Sequence, residues 1–439
     1  MNSMFLIDEQ TKKDIQLTSS LGNSVFDFFN NTRTEGGDRL LKDLFFSPTK
    51  DINEIKSRQI KVKRLLPFID FPFFYDKLIL KDLERFFVSR PNDSSIISSI
   101  NLFRITSPEY FYTKRSIIET VDILLYFNDF LSKILEKEKF DDIVRFYELS
   151  CFCLNRIFNS NNYRKDRLKI TLLNIDRYDN IIRGKLSDKL KEILDFVYEI
   201  DAYLAIARAT QNKTFCFPKI TEKGKTAAIT ICGLYNLFHR SPISNDVSLK
   251  QAEKIWFLTG ANMAGKSSII KSISIAVYLT HVGFPIPAAT METDVMDGLF
   301  TSINLDDNID LGYSHFFNEA IRLKEIIDKL HEKSNALIIL DELFKGTNNA
   351  DASQAIFEVI KYFIDIDGPF TIISSHITEL SERLKDLRKI KFMKLNIEKD
   401  KDGMPLFTYK INEGVSHERL GMWLLDKSGV FNSFKELLK

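Results

Sequence analysis

Apolar residues recur at helical spacing from the start of the chain to about Ala209. Ile117, Ile118, Val121, Leu124, Leu125, Phe130, Leu131, Ile134 and Leu135 share one face of a long segment, and Leu186, Leu190, Ile193, Leu194, Val197, Ile200 and Leu204 share one face of another. A repeat of three to four predicts amphipathic helices whose stripes face a core. From Thr214 the pattern changes. Short apolar runs at 227–232, 254–258, 336–340 and 370–374 alternate with helical periodicity at 268–278 and 352–364. Strands alternating with helices imply a parallel sheet wrapped by helices. The pattern therefore predicts a helical domain over 1–213 and an α/β domain over 214–439.

Composition sharpens this only in part. The 439 residues suffice for two or three domains, and 17 glycines and 11 prolines are few enough to favour helices. Lys and Arg total 61 against 60 Asp and Glu. Net charge thus neither predicts nor excludes a nucleic-acid partner, and any basic surface is local. Cys151, Cys153, Cys216 and Cys232 have neither C-x-x-C spacing nor the look of a disulfide framework. They read as reduced, mostly buried thiols, which points to a cytoplasmic protein. The first residues lack a signal peptide's basic and apolar regions, and no run approaches ~18 apolar residues, so no membrane insertion is expected.

Candidate chemistry sits between two of the predicted strands and their helices. Gly260, Gly265, Lys266 and Ser267 follow the run 254–258 and precede the helix 268–278, at the G-x-x-x-x-G-K-[ST] spacing of a P-loop. Backbone N–H groups of such a loop cradle phosphates, the helix presents its positive end, Lys266 adds charge and Ser267 is a magnesium ligand. The run 336–340 ends in Asp341 and Glu342. In an open parallel sheet ligands bind beyond the carboxyl ends of the strands. Asp341 is thus placed to hold Mg²⁺ and Glu342 to polarise an attacking water. ATP and Mg²⁺ are the expected cofactors and hydrolysis the expected reaction.

These motifs resemble those of the MutS family of DNA mismatch-repair ATPases, a branch of the ABC-type nucleotide-binding domains. TGANMAGKSS (259–268) is similar to T-G-P-N-M-x-G-K-S-T, with Ala261 for proline and Ser268 for threonine. Asn262 and Met263 are letters a generic P-loop does not require. VGFPIPA (282–288), DELFKGTNNAD (341–351) and SSHITEL (374–380) resemble the family's V-G-x-x-V-P-A, D-E-x-x-x-G-T-x-x-x-D and A-T-H-x-x-E-L. Near the start, LIDEQTKKDIQL (6–17) and TRTEGGDRLL (32–41) look like the opening of the MutS core domain, although from the residues alone Gly36 and Gly37 read as a turn before a helix.

The resemblance implies an α/β ABC-type P-loop ATPase domain preceded by an all-α core/lever domain. It implies a nucleotide site built from Gly260, Ala261, Asn262, Met263, Ala264, Gly265, Lys266, Ser267 and Ser268, with metal held by Ser267 and Asp341. Catalysis would involve Lys266, Glu342, His376 as a γ-phosphate sensor, and Ser314 acting in trans on a partner's nucleotide. The last follows because YSHFFNE (313–319) stands where the family has S-T-F-x-x-E. From the residues alone, Ser314 serves equally as the N-cap of a helix over 316–330. ISNDV (243–247) resembles the adenine-side loop, with Pro242 at its aromatic stacking position.

Because the match begins within the first ten residues, the mismatch-reading and connector domains are expected to be absent, and the DNA clamp missing or reduced. Two basic clusters, Lys56, Arg58, Lys61, Lys63 and Arg64, and Arg164, Lys165, Arg167 and Lys169, stand out. The second lies near the expected lever tip and is the candidate contact to DNA phosphates. The expected partners are double-stranded or branched DNA and a second copy of the chain in an ATP-strengthened homodimer. Two rival readings remain: a ribosome- or RNA-associated ATPase, and a non-catalytic, ATP-gated assembly module.

Overall fold

The computed structural model describes residues 4–19, 23–70, 77–90, 108–158, 163–166, 170–171, 173–222, 228–261, 264–303, 315–330, 334–345, 347–377, 379–399, 405–416 and 427–437. Contacts divide the chain into two compact units. The first comprises 1–29, 44–64 and 210–439, the second 30–43 and 65–209. The changeover at Thr210 lies beside the point where hydrophobic periodicity changes. The single cut predicted near 213 misses a second feature: two early segments, 1–29 and 44–64, belong with the sheet-containing unit.

The first unit holds β1 (Leu6–Ile7), β2 (Lys219–Thr221), β3 (Ala228–Leu234), β4 (Asn245–Lys250), β5 (Ile255–Thr259), β6 (Thr290–Asp294), β7 (Gly298–Ser302), β8 (Ala336–Asp341), β9 (Phe370–Ser375), β10 (Ile390–Lys399) and β11 (Pro405–Glu413). Seven form one sheet in the order β1-β7-β8-β9-β5-β10-β11, and β2-β6-β3-β4 form another. The large sheet is parallel from β1 to β10, and only β11 runs antiparallel. Every residue of β5, β7, β8 and β9 is buried, as parallel strands covered on both faces require. This is why 336–340 reads as an unbroken apolar run. Ala336, Ile338 and Leu340 pack with Ile326, Ile356, Ile360 and Leu380 from the helices over one face.

The early segments join this unit through specific bonds. Leu6 pairs with Gly298. Arg322 donates to Asp8 Oδ2 at 2.8 Å and Oδ1 at 3.0 Å. Burial raises the Asp8 carboxyl, but its bonds to Arg322 and Lys329 outweigh that and hold it well below the usual range. Arg58, from the first basic cluster, is buried and donates to the Val282 and Ser47 carbonyls at 3.0 Å each. It closes the C-terminus of the helix Lys266–Val282 and is no free phosphate ligand.

The second unit is helical among the described residues. Its main helices are Lys77–Val88, Pro108–Leu135, Asp141–Phe158 and Ser187–Ala209, with a π-helical turn at Asn180–Lys185. Phe146 stacks on Phe196 with centroids 3.8 Å apart. Gly36 and Gly37 lie inside the helix Glu35–Phe45, not in a turn before it. A Cβ on Gly36 would stand 2.2 Å from the Tyr198 ring, and one on Gly37 would stand 2.5 Å from Asp201. Close packing, not turn geometry, selects these glycines. Asp201 receives the Thr34 N–H and hydroxyl at 2.8 Å each and anchors that helix start.

All four cysteines are free thiols, but only Cys153 is buried and Cys232 is exposed, contrary to the expectation of mostly buried thiols. Among the described residues no helix is long and apolar enough to cross a membrane.

Candidate active site

Register brings the chemistry to one edge. β9 lies between β5 and β8, pairing Ser375 with Thr259 on one side and Ser374 with Asp341 on the other. The strands end together, so Gly260, Asp341, Glu342 and His376 all leave the sheet at its carboxyl edge. β5 is followed by Gly265, whose φ of +101° is a left-handed conformation that favours glycine, and then by the helix Lys266–Val282.

Lys266 is 4% exposed. Its Nζ donates to the Gly260 carbonyl at 2.7 Å and lies 3.2 Å from Glu342 Oε1. Ser267 donates its hydroxyl to Asp341 Oδ2 at 2.6 Å. Ser374 donates to Asp341 Oδ1, and its Oγ also receives the Glu342 N–H at 3.0 Å. Glu342 sits at φ +51° and Phe344 at +64°, so the turn after β8 holds two strained non-glycine residues. Such strain persists where surrounding contacts impose it, often at functional sites. Burial raises the Glu342 carboxyl, but the hydrogen bond to Lys345 and the charge of Lys266 hold it below its ordinary value. It is a carboxylate at neutral pH, able to accept a proton or a hydrogen bond.

A hydroxyl and a carboxylate converging at this spacing supply the hard oxygen ligands Mg²⁺ prefers, with room in its shell for water and phosphate. Among the described residues no group of three His, Cys, Asp or Glu side chains forms an all-protein metal cage. The set fits a metal that arrives with a nucleotide.

Beside the P-loop lies a 480 Å³ cleft lined by Pro242, Ile243, Gly265, Ser268, Phe407 and Tyr409. Asn236 donates to Ser268 Oγ at 2.6 Å. Pro242 carries no ring, but Phe407 and Tyr409 on β11 supply aromatic surface, stacked at 6.2 Å. Tyr409 has φ +55° and is tied to Asn245, whose amide donates to its carbonyl at 3.0 Å. A Cβ on Gly265 would lie 3.1 Å from the Tyr409 ring. The P-loop glycine is thus required by close approach as well as by φ.

Sequence reading missed Tyr409, Lys345, Ser374 and Glu319. The side chain of Glu319, on the helix His315–Asp328, is buried. Its carboxyl faces the Phe344 backbone, while Phe316 on the same helix packs its ring 4.9 Å from that of Phe344. Burial pushes its carboxyl up, with His315 Nδ1 at 3.6 Å. The S-T-F-x-x-E resemblance contained Glu319, but only the fold shows that it reaches the turn carrying Glu342.

Of the other expected residues, Gly260, Ala261 and Ala264 lie in the loop, and His376 is exposed one residue past β9. Asn262, Met263, Ser314, Arg167 and Lys169 lie outside the described residues. Arg164 pairs with Asp129 at 2.7 Å, and Lys165 is exposed beside it.

Comparison with known proteins agrees with this geometry. Residues 256–434 match the family model of MutS domain V. Across its whole length the chain is 23% identical to the DNA mismatch repair protein MutS of Petrotoga mobilis, covering 65% of that protein. Across 99% of its length it is 22% identical to that of Thermosipho melanesiensis, covering 63%. Over 54% of the chain, identity to the MutS of Orientia tsutsugamushi is 30%, covering 28% of that protein. The chain spans just under two thirds of the length of the first two relatives. With P-loop, acid pair and sheet order in agreement, residues 256–434 match MutS domain V, and the chain as a whole is similar to DNA mismatch repair MutS proteins.

Proposed function

We propose that this protein is a magnesium-dependent ATPase of the MutS type that binds duplex or branched DNA and couples ATP hydrolysis to rearrangement of its helical part. The observation that carries the reading is the convergence of Lys266, Ser267, Asp341 and Glu342 at one sheet edge. Bound Mg²⁺ would neutralise charge on the β- and γ-phosphates. Ser267 and Asp341 are the residues that would hold that ion. Phosphate oxygens compete with Glu342 for the Lys266 ammonium, which frees the Glu342 carboxylate to accept a hydrogen bond from the attacking water. His376 stands at the same edge to sense the γ-phosphate, and Tyr409 with Phe407 offers the base a stacking face where Pro242 has none.

Ser314 is assigned the trans contact that completes a partner's nucleotide, which makes the active form a dimer tightened by ATP. A ligand shared across an interface stabilises the paired state by mass action. The DNA contact is assigned to Arg164, Lys165, Arg167 and Lys169, and the domain division to a helical part within 1–213 and an ATPase part over 214–439 that is joined by the segments 1–29 and 44–64. The relatives' printed name, DNA mismatch repair protein, favours DNA over RNA as the partner.

The test is to hold a Glu342→Gln protein in ATP and identify what travels with it. Recovered DNA and ATP-dependent dimers in sedimentation support the reading. Recovered ribosomal RNA, or a monomer with and without ATP at micromolar concentration, rejects it.

A further inference from the structure

The helical unit contains an open cleft of 620 Å³ lined by Phe152, Asn155 and Arg156 from the helix Asp141–Phe158 and by Arg177, Asn180 and Lys185 from the segment that follows. It was not among the basic clusters singled out in the sequence, because its cations come from different elements. Among the described residues, Arg156, Arg177 and Lys185 form no ion pair, whereas the neighbouring Arg145, Arg164 and Arg183 are matched to Glu192, Asp129 and Asp179. Three unmatched cations around one concavity repel one another and favour an anion there.

Two further features point to the same place. Phe152 is 50% exposed at the cleft, with Lys189 Nζ 5.6 Å from its ring centre. The wall opposite is the π-helical turn Asn180–Lys185, closed by the Leu186 N–H donating to the Ile181 carbonyl at 2.9 Å. Single π-turns are rare and concentrate at functional sites, where they redirect side chains. Here the turn brings both Asn180 and Lys185 to the cleft.

We propose that this cleft binds single-stranded nucleic acid, with Arg156, Arg177 and Lys185 on successive phosphates and a base stacked on Phe152. An exposed aromatic set among backbone-binding cations is how single strands are held without sequence preference. A duplex, whose bases are already stacked inside it, has no use for the Phe152 ring. The proposal deepens the nucleic-acid reading above by adding an unpaired strand, as at a junction or gap, to the duplex assigned to the Arg164 cluster.

The experiment measures binding of the full chain to labelled oligothymidylate and to a blunt duplex of equal length over a salt series, by fluorescence anisotropy. Phe152→Ala should weaken oligothymidylate binding roughly tenfold and leave the duplex unchanged. Arg156→Gln with Arg177→Gln should lower the salt slope for oligothymidylate by about 1.4, at ~0.7 for each lost single-strand contact. These side chains lie at the surface of the cleft, and an unchanged ATPase rate and melting temperature show that each variant is folded. If Phe152→Ala leaves oligothymidylate binding unchanged, or the paired glutamines leave its slope unchanged, the proposal is overturned. Duplex binding without oligothymidylate binding overturns the cleft alone. Loss of both in the wild type at low salt overturns the DNA reading with it.

Discussion

Ser267 and Asp341, which belong to elements separated by a whole strand of the sheet, are joined by a 2.6 Å hydrogen bond. The hydroxyl follows the P-loop lysine and the carboxylate ends β8, so the two prospective metal ligands are positioned against each other by register alone. Ser267→Ala and Asp341→Asn should each remove most of the gain in ATP affinity that Mg²⁺ confers, by roughly tenfold or more, while metal-free binding changes little. A fluorescent-nucleotide titration with and without Mg²⁺ measures it. Retention of the full magnesium effect in both variants would remove the pair from the metal site.

Glu319 is expected to act as a positioning residue for Glu342. Its carboxyl faces the Phe344 backbone and the Phe316 ring packs on the Phe344 ring, two residues beyond Glu342 in a turn with two left-handed non-glycine residues. Glu319→Ala should lower kcat by roughly tenfold with nucleotide affinity within about twofold, because the lost contact aims a catalytic group and binds no ATP. Glu319→Gln, which keeps the side chain's size and an oxygen facing the Phe344 backbone, should recover part of the rate. Equal losses of kcat and affinity would mark a general packing defect instead.

His281 ends the helix after the P-loop, fully buried and stacked on Phe5 at 4.2 Å. Met296 donates its N–H to Nε2 at 3.3 Å, so Nδ1 carries the proton and donates to the Thr49 carbonyl at 2.9 Å. Burial depresses its pKa to about 4. Between pH 6.5 and 4 the unfolded chain binds this proton and the folded chain does not, so stability falls as pH drops through that window, by up to about 3 kcal/mol. Urea unfolding at stepped pH should show this fall, and His281→Gln should flatten it. Parallel curves for the two proteins would contradict the assignment.

Gly36→Ala should destabilise the helical unit by about 1–3 kcal/mol, because the new methyl meets the buried ring of Tyr198 rather than a flexible chain end. A lowered urea midpoint with an unchanged m-value checks it.

Legibility followed range in the sequence. The P-loop, the run ending in Asp341 and the two long helices were readable because their signals are local: fixed spacing, a continuous apolar run, a repeat of three to four. Gly36 and Gly37 read as a turn because the ring and carboxylate that exclude side chains there belong to Tyr198 and Asp201, far along the chain. Tyr409 carried no signal, since it sits in an edge strand of mixed polarity and matters through its approach to Gly265. The membership of 1–29 and 44–64 in the sheet unit was hidden for a similar reason: β1 is only two residues long, and its pairing to β7 leaves no periodicity to detect.

The central claim is that Glu342, held against Lys266 at 3.2 Å in the resting site, orients the attacking water. Single-turnover hydrolysis of radiolabelled ATP by wild-type and Glu342→Gln protein tests it most directly. The account predicts that Glu342→Gln binds ATP as tightly as the wild type or more so and hydrolyses it about 10²-fold more slowly, while Lys266→Ala fails to bind. Equal hydrolysis rates for Glu342→Gln and wild type would contradict it.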